Sequence, residues 1–186
     1  MARKRYIKDY RLVETMDARG RIQTSYEYIG PAYGYVLGPE AVRREKRRAL
    51  RLLVLGWLAF VGALLPDARA MHGAYVALPF VFTALPLGLL TDLAFTAMPK
   101  SEPLRHQQAD LLANRYPPAA LWTAILPGVA LAGMLVRLLV TGDAAWGDGV
   151  FAACALALIA CGGALYSRRS RFSCRELDGE TAPRGE

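Results

Sequence analysis

Cysteine and histidine are scarce in this chain, and neither residue is placed for redox or metal chemistry. The 186 residues include three cysteines and two histidines. Cys154 and Cys161 are seven residues apart on one predicted helix, about 10 Å along its axis, which is too far for a disulfide. His72 and His106 are separated by a long apolar stretch, so they cannot join one metal cluster. We expect no disulfide framework, no metal site and no cofactor.

The sequence also lacks the motifs of the common enzyme classes. It contains no nucleophile elbow, no P-loop, no dinucleotide-binding glycine pattern and no H-E-x-x-H. No pair of carboxylates falls inside an apolar stretch, where it would suggest a functional site. These absences disfavour catalysis, and our interpretation is that the protein is not an enzyme.

Charge is absent or nearly absent from four long apolar stretches. They cover residues 49–65, 73–98, 119–140 and 150–166. Each approaches or exceeds the ~17 to 25 residues that a helix needs to cross about 30 Å of hydrocarbon. The pattern predicts a mainly α membrane protein built as a four-transmembrane-helix bundle.

Positive charge is concentrated between and around these stretches on one side. Residues 1–51, 99–118 and 167–186 carry 21 of the 23 Lys and Arg residues. The positive-inside rule then predicts a multi-pass protein of the cell membrane with both termini in the cytoplasm. The net charge of +7 follows from this topology. We therefore expect membrane lipid as a partner and no nucleic acid.

Residues 1–38 have the pattern of a small cytoplasmic β-hairpin that is rich in tyrosine. Aromatic and branched residues recur with period two in 6–16 and again in 22–29. Residues 17–21 interrupt this alternation, and Gly20 suits the positive φ that ends a three-residue hairpin loop. The predicted loop determines which residues of the two strands face each other.

The predicted register gathers apolar residues on one face. It places Tyr10 opposite Tyr28 and Leu12 opposite Tyr26. A two-stranded hairpin alone is at best marginally stable in water, so something must cover this face. Because Tyr is enriched at protein interfaces, Tyr10, Leu12, Tyr26 and Tyr28 are our candidate partner-binding residues.

Three ways of burying this apolar face are consistent with the sequence. Residues 32–37 can add a third strand, and the amphipathic segment 101–116, predicted to be an inner helix, can pack on it. The third cover is a protein partner. The sequence does not decide among the three.

A basic collar precedes the first apolar stretch, where a helix is expected to begin at Pro39. Cations at this position attract anionic headgroups, by about 1 kcal/mol each. The predicted membrane-surface residues are Arg43, Arg44, Lys46, Arg47 and Arg48.

Three charged residues fall at or inside the spans and are candidate intramembrane polar groups. Arg51 and Asp92 are expected to pair at the cytoplasmic boundary. Arg137 is expected to extend to the outer interface towards Asp143 and Asp148.

Two further features describe the spans. Pro79 and Pro86 predict a kinked or broken second span. Small residues at intervals of four predict close packing of the third and fourth spans, at Ala124, Gly128 and Ala132 on one and Ala153, Ala157 and Cys161 on the other.

The predicted organisation is therefore a hairpin at 1–38, a membrane bundle at 39–166 and a tail at 167–186 that is basic and then disordered. Our leading functional hypothesis is a non-enzymatic accessory or scaffold subunit that engages a protein partner through the hairpin. A second copy of the chain is the other expected partner. The alternative hypothesis is a small-solute transporter component built on the broken second span.

Overall fold

The computed structural model describes residues 9–16, 22–98 and 104–181 of the chain. This part is mainly helical and carries two small sheets. Three of its helical segments, 74–96, 106–141 and 146–167, are long and apolar enough to cross a membrane. The structure thus supports a helical membrane protein, as the sequence predicts.

The described residues form six helices, two 3-10 turns and five strands, which follow one another along the chain in a simple order. The six helices are α1 (Pro39–Leu64), α2 (Ala74–Phe82), α3 (Ala84–Thr96), α4 (His106–Asn114), α5 (Tyr116–Thr141) and α6 (Trp146–Ser167). Two 3-10 turns are present, at Arg69–His72 and Arg169–Phe172. The five strands are β1 (Tyr10–Met16), β2 (Ile22–Tyr28), β3 (Pro31–Tyr35), β4 (Leu104–Arg105) and β5 (Cys174–Thr181).

The first apolar stretch lies in α1, which is not among the three segments that qualify by length and composition. Arginines interrupt the middle of this helix, and only residues 52–64 follow Arg51 before α1 ends. That part is about 20 Å long, which is less than the thickness of the hydrocarbon.

The second apolar stretch is divided into α2 and α3, as its prolines predict. Pro79 lies inside α2 and Pro86 in the first turn of α3. The helices meet at Thr83, which is fully buried. Its hydroxyl donates to the Pro79 carbonyl at 3.2 Å, and its backbone N–H donates to Phe80. The Thr83 hydroxyl therefore gives the Pro79 carbonyl a donor in place of the Thr83 N–H, which bonds Phe80 at the break.

An aromatic stack fills the core between α1, α2 and α6. The ring centroids of Phe60 and Phe80 are 5.3 Å apart, and those of Phe80 and Phe151 are 4.9 Å apart. The Trp57 indole N–H donates to the Thr91 hydroxyl at 3.0 Å, which joins α1 to α3. This core makes α1 an integral part of the helical bundle.

Helices α5 and α6 pack closely at Gly162. A Cβ added there would lie 2.7 Å from the Ala124 backbone nitrogen and 2.9 Å from the Thr123 carbonyl carbon. The predicted small-residue stripes are only partly at this contact, since Ala132, Ala153 and Ala157 are exposed. The buried face of α6 is instead the one that carries its large side chains, Phe151, Leu158 and Leu165.

The two N-terminal strands form an antiparallel pair in the register expected from the sequence. Tyr10 lies opposite Tyr28 and Leu12 opposite Tyr26. The loop that was expected to join them, with Gly20, lies outside the described residues. Strand β3 does not extend this pair, so residues 32–37 are not its third strand.

Strand β3 is instead the central strand of a second sheet. It pairs antiparallel with β4 on one edge and with β5 on the other. The tail after Arg175 was expected to be disordered, and this is wrong for residues 176–181, because they belong to β5 (Cys174–Thr181), which completes the hydrogen bonds of β3. Residues 182–186 lie outside the described part.

The inner segment 101–116 is not one helix. Residues 104–105 form β4, and α4 begins at His106. Residues 101–103 lie outside the described part. The segment therefore contributes both a strand and a helix to what we call the sheet end of the helices, the end at which β3, β4 and β5 lie.

Candidate docking face on the N-terminal strands

Tyr10 and Tyr28 form one half of the predicted tyrosine face, and this half is packed against the sheet end. The Tyr10 and Tyr28 rings meet edge to face with centroids 5.3 Å apart. The Tyr28 hydroxyl donates to the Pro31 carbonyl at 3.0 Å and accepts the backbone N–H of His106 at 2.9 Å. The Arg105 guanidinium lies 5.8 Å from the Tyr28 ring centre. Tyr28 therefore attaches the strand pair to β3 and α4.

A histidine and a carboxylate reinforce this attachment. The Asp9 carboxylate lies 3.1 Å from His106 Nδ1, and its backbone carbonyl accepts the Ile29 N–H at 2.8 Å. The Tyr33 ring stacks on the His106 ring at a centroid distance of 5.6 Å. No local pattern could have identified Asp9, because it is 97 residues distant in the chain.

Both tyrosines of this cluster keep their protons at neutral pH. Burial raises the pKa of Tyr28, and the Asp9 charge adds to this effect, although the His106 N–H opposes it. Burial and the Glu176 charge raise the pKa of Tyr33. The Tyr28 hydroxyl therefore remains a hydrogen-bond donor to its carbonyl partner. The two tyrosines therefore act here as neutral groups that hold the strand pair in place.

Gly30 permits this close packing. A Cβ at this position would lie 2.6 Å from the Tyr28 hydroxyl and 2.9 Å from the Asp9 Cβ. A side chain would therefore displace the tyrosine from its two hydrogen bonds. Gly30 and Pro31 indicate a turn in the sequence, but the need for space beside a tyrosine is visible only in the structure.

The outer half of the same face is open. Leu12 is 52% exposed and Tyr26, directly opposite, is 73% exposed. The four predicted partner-binding residues therefore divide into two pairs. Tyr10 and Tyr28 pack against the protein, whereas Leu12 and Tyr26 form an accessible pair that we call the docking face.

The basic collar lies on α1 at the sheet end. Lys46 is half-buried and donates a hydrogen bond to the Met98 carbonyl, which joins α1 to the residues after α3. Glu45 is buried between collar residues, although nothing in the sequence distinguishes it from the exposed charges around it. The other four predicted membrane-surface residues are exposed: Arg43, Arg44, Arg47 and Arg48.

The expected pair between Arg51 and Asp92 is wrong. Both residues are exposed, and the ion pairs among the described residues do not include one between them. Thr91 faces α1 and accepts the Trp57 hydrogen bond. Asp92, one residue further along the helix, is rotated by about 100° from that face.

Arg137 has one of its two expected partners. Its guanidinium lies 3.7 Å from the buried Asp148 carboxylate. That carboxylate also accepts the backbone N–H groups of Ala70 and Ala145, at 2.9 and 3.0 Å. Asp143 pairs with Arg69 instead. These contacts connect the loops at the end of the bundle opposite the sheet.

Neither metal chemistry nor similarity to another protein identifies a function. The described residues contain no group of three or more His, Cys, Asp or Glu side chains that could hold a metal ion. The chain matches no protein family model, no curated protein and no solved structure.

Proposed function

We propose that this protein is a four-span membrane protein that serves as a non-enzymatic accessory or scaffold subunit. Its docking face, Leu12 and Tyr26, binds an apolar patch on a protein partner at the cytoplasmic membrane surface. The observation that carries the proposal is that Leu12 and Tyr26 are exposed, whereas Tyr10 and Tyr28 of the same face pack against the protein. Exposed aromatic residues on a rigidly attached element are typical of protein interfaces.

The sheet end supports four spans. Strands β3, β4 and β5 come from three distant parts of the chain, and hydrogen-bonded strands must lie on the same side of a membrane. Helices α5 and α6 cross and return between β4 and β5. The α2–α3 unit supplies a single crossing between β3 and β4. A second crossing of the membrane is needed to bring β4 to the same side as β3. Helix α1 is available to make it.

The surface of α1 is suited to lipid. Its arginines have long apolar stems that allow the charged ends to reach the headgroups, and local thinning of the bilayer accommodates a short span at modest cost. The residues beyond Arg51 that face outward are large and apolar: Val54, Leu55, Leu58 and Val61.

The distribution of charge supports a cytoplasmic sheet end. The collar on α1 and the arginines that follow α6 are at this end, whereas the opposite end carries Asp67, Asp143 and, in the first turn of α6, Asp148. The positive-inside rule then assigns both termini to the cytoplasm. The docking face accordingly meets cytoplasmic proteins or the cytoplasmic parts of membrane proteins.

The test changes Leu12 and Tyr26 together to Ser in the full-length protein. We expect a stoichiometric partner that co-purifies with the wild type after mild solubilisation to be lost, because the change removes the apolar contact. Val36→Ser is the matched control, since Val36 is also an exposed apolar residue but lies outside the strand pair. The control variant should retain the partner.

Two outcomes would contradict the proposal. Retention of every co-purifying chain by the double variant would show that Leu12 and Tyr26 are not a docking site. Loss of thermal stability equal to that of a core substitution would show that the pair is needed for folding. Thermal unfolding of the purified variant distinguishes folding from docking.

The alternative, a small-solute transporter component, has one supporting feature. Helices α2 and α3 meet at a break near the middle of the bundle, and broken helices form binding sites in transporters. The candidate site residues do not share this position. Asp92 lies towards the sheet end and is exposed, and Arg137 pairs with Asp148 at the opposite end. The docking proposal is therefore preferred.

A further inference from the structure

A buried carboxylate joins two arginines at the sheet end. Glu45 is only 8% exposed, and its two oxygens bind different helices. Oε1 accepts from Arg48, one turn further along α1, at 2.9 Å. Oε2 accepts from Arg168, at the end of α6, at 2.6 Å. One carboxylate therefore binds both guanidinium groups, although they come from distant parts of the chain.

This cluster keeps a net positive charge and free hydrogen-bond donors. Burial disfavours the charged form of Glu45, but the hydrogen bonds and charges of Arg168 and Arg48 outweigh it and hold the pKa of the carboxyl below its ordinary value. One carboxylate thus faces two guanidinium groups. The side chains of Arg48 and Arg168 remain 57% and 34% exposed. Each guanidinium has five N–H donors, and the structure records one hydrogen bond from each to Glu45.

The residues near the cluster are of the kinds that occur at a membrane surface. The Arg169 guanidinium lies 4.1 Å from the Tyr166 ring centre, and aromatic residues concentrate at the membrane interface. Leu52 and Leu55 lie one and two turns beyond Arg48 on the same face of α1. Leu55 is exposed, so a chain of methylene groups can rest beside it.

We propose that Arg48 and Arg168 bind the phosphate of an anionic membrane lipid, with Glu45 as the residue that positions them. Two guanidinium groups held by one carboxylate match the several oxygens of a phosphate and add geometric selectivity to charge. The apolar surface above them favours a lipid over a soluble phosphate. The inference rests on the membrane placement proposed above but not on the docking partner.

The test measures thermal unfolding of the purified full-length protein in a non-ionic detergent. The probes are short-chain phosphatidylglycerol, phosphatidylcholine of the same chain length and inorganic phosphate. At about ten times its dissociation constant, phosphatidylglycerol should raise the midpoint by about 3 to 6 °C. Phosphatidylcholine and millimolar phosphate should give less than a third of this shift.

Two double variants that conserve the net charge distinguish a specific lipid-binding site from general attraction to surface charge. Glu45→Gln with Arg168→Gln removes the positioned pair and leaves the net charge unchanged. Glu40→Gln with Arg44→Gln does the same at an exposed pair of the same helix, with an ion-pair distance of 4.0 Å. We expect the first variant to lose at least tenfold in apparent phosphatidylglycerol affinity and the second to stay within twofold of wild type.

Several outcomes would overturn the proposal. Equal losses in both variants would mean that the lipid responds only to collar charge. An equal shift with inorganic phosphate would mean a soluble anion site. If the first variant does not fold, Arg48→Lys with Arg168→Lys replaces it, since lysine keeps the charge but not the planar fork. An unchanged phosphatidylglycerol shift in that variant would also contradict the site.

Discussion

Two tyrosines of one strand have different roles at the residue scale. Tyr26 and Tyr28 are two positions apart on β2 and share a face, so no sequence pattern separates them. The structure separates them because Tyr28 reaches the Pro31 carbonyl and the His106 N–H, whereas Tyr26 extends beyond these groups. The role of each tyrosine therefore depends on the groups that its ring and hydroxyl contact.

Removal of one hydroxyl tests this distinction. Tyr28→Phe should make the backbone N–H of His106 exchange with deuterium about tenfold faster, because a half-buried donor loses its acceptor at a cost of about 1 to 2 kcal/mol. Hydrogen exchange measured by mass spectrometry on peptides covering 104–114 checks this. Tyr26→Phe is the matched control and should leave the rate unchanged. Equal rates in the two variants would refute the assigned hydrogen bond.

The packing of two helices is determined by the positions at which their backbones approach each other closely. The small residues of the third and fourth spans correctly indicate close packing, yet the contact is made by Gly162 and not by Ala153 or Ala157. Large side chains determine which face of α6 is buried, and the small residues of that face then set the distance between the helices. Spacing alone does not identify that face.

Adjacent glycines provide the test of this contact. Gly162→Ala should lower the thermal unfolding midpoint by about 4 to 8 °C, because the new Cβ meets backbone atoms of α5 that cannot move independently. Gly163→Ala adds the same methyl group where no atom lies within 4 Å. It should be neutral or slightly stabilising, as expected from helix propensity. Equal effects of the two substitutions would contradict the close approach of α6 to α5 at Gly162.

The sheet end organises the whole molecule. Three distant segments form β3, β4 and β5, so the topology of the membrane part and the pairing of the strands depend on each other. An odd number of spans between two of these strands would separate residues that are hydrogen-bonded here. The proposed four-span arrangement, with an even number of crossings between paired strands, is consistent with this sheet.

Labelling of single cysteines on intact cells tests this topology. Val36→Cys, Ala144→Cys and Glu176→Cys are made separately in a background without Cys154, Cys161 and Cys174; all three substituted positions are exposed. An impermeant thiol reagent should label only position 144, and permeabilised cells should allow labelling of all three. Labelling of position 36 or 176 on intact cells would contradict the four-span arrangement with both ends inside.

Features that depend only on neighbouring residues could be predicted from the sequence. The apolar helices, the break near Pro79 and the register of β1 with β2 follow from local composition, from the geometry of proline and from the period of two in a strand. These features need no knowledge of distant residues. That Tyr10, Leu12, Tyr26 and Tyr28 share one face of the strand pair was likewise predictable from this period.

Contacts between groups that are far apart in the chain became visible only in the folded protein. It divided the tyrosine face into a packed half and an open half, brought Asp9 to His106, and joined Glu45 to Arg168. It also turned a polar tail into β5, because β3 needed hydrogen-bond partners on both edges. Such contacts depend on how the helices pack, and the spacing of residues along one segment carries no information about the groups that another segment places beside it.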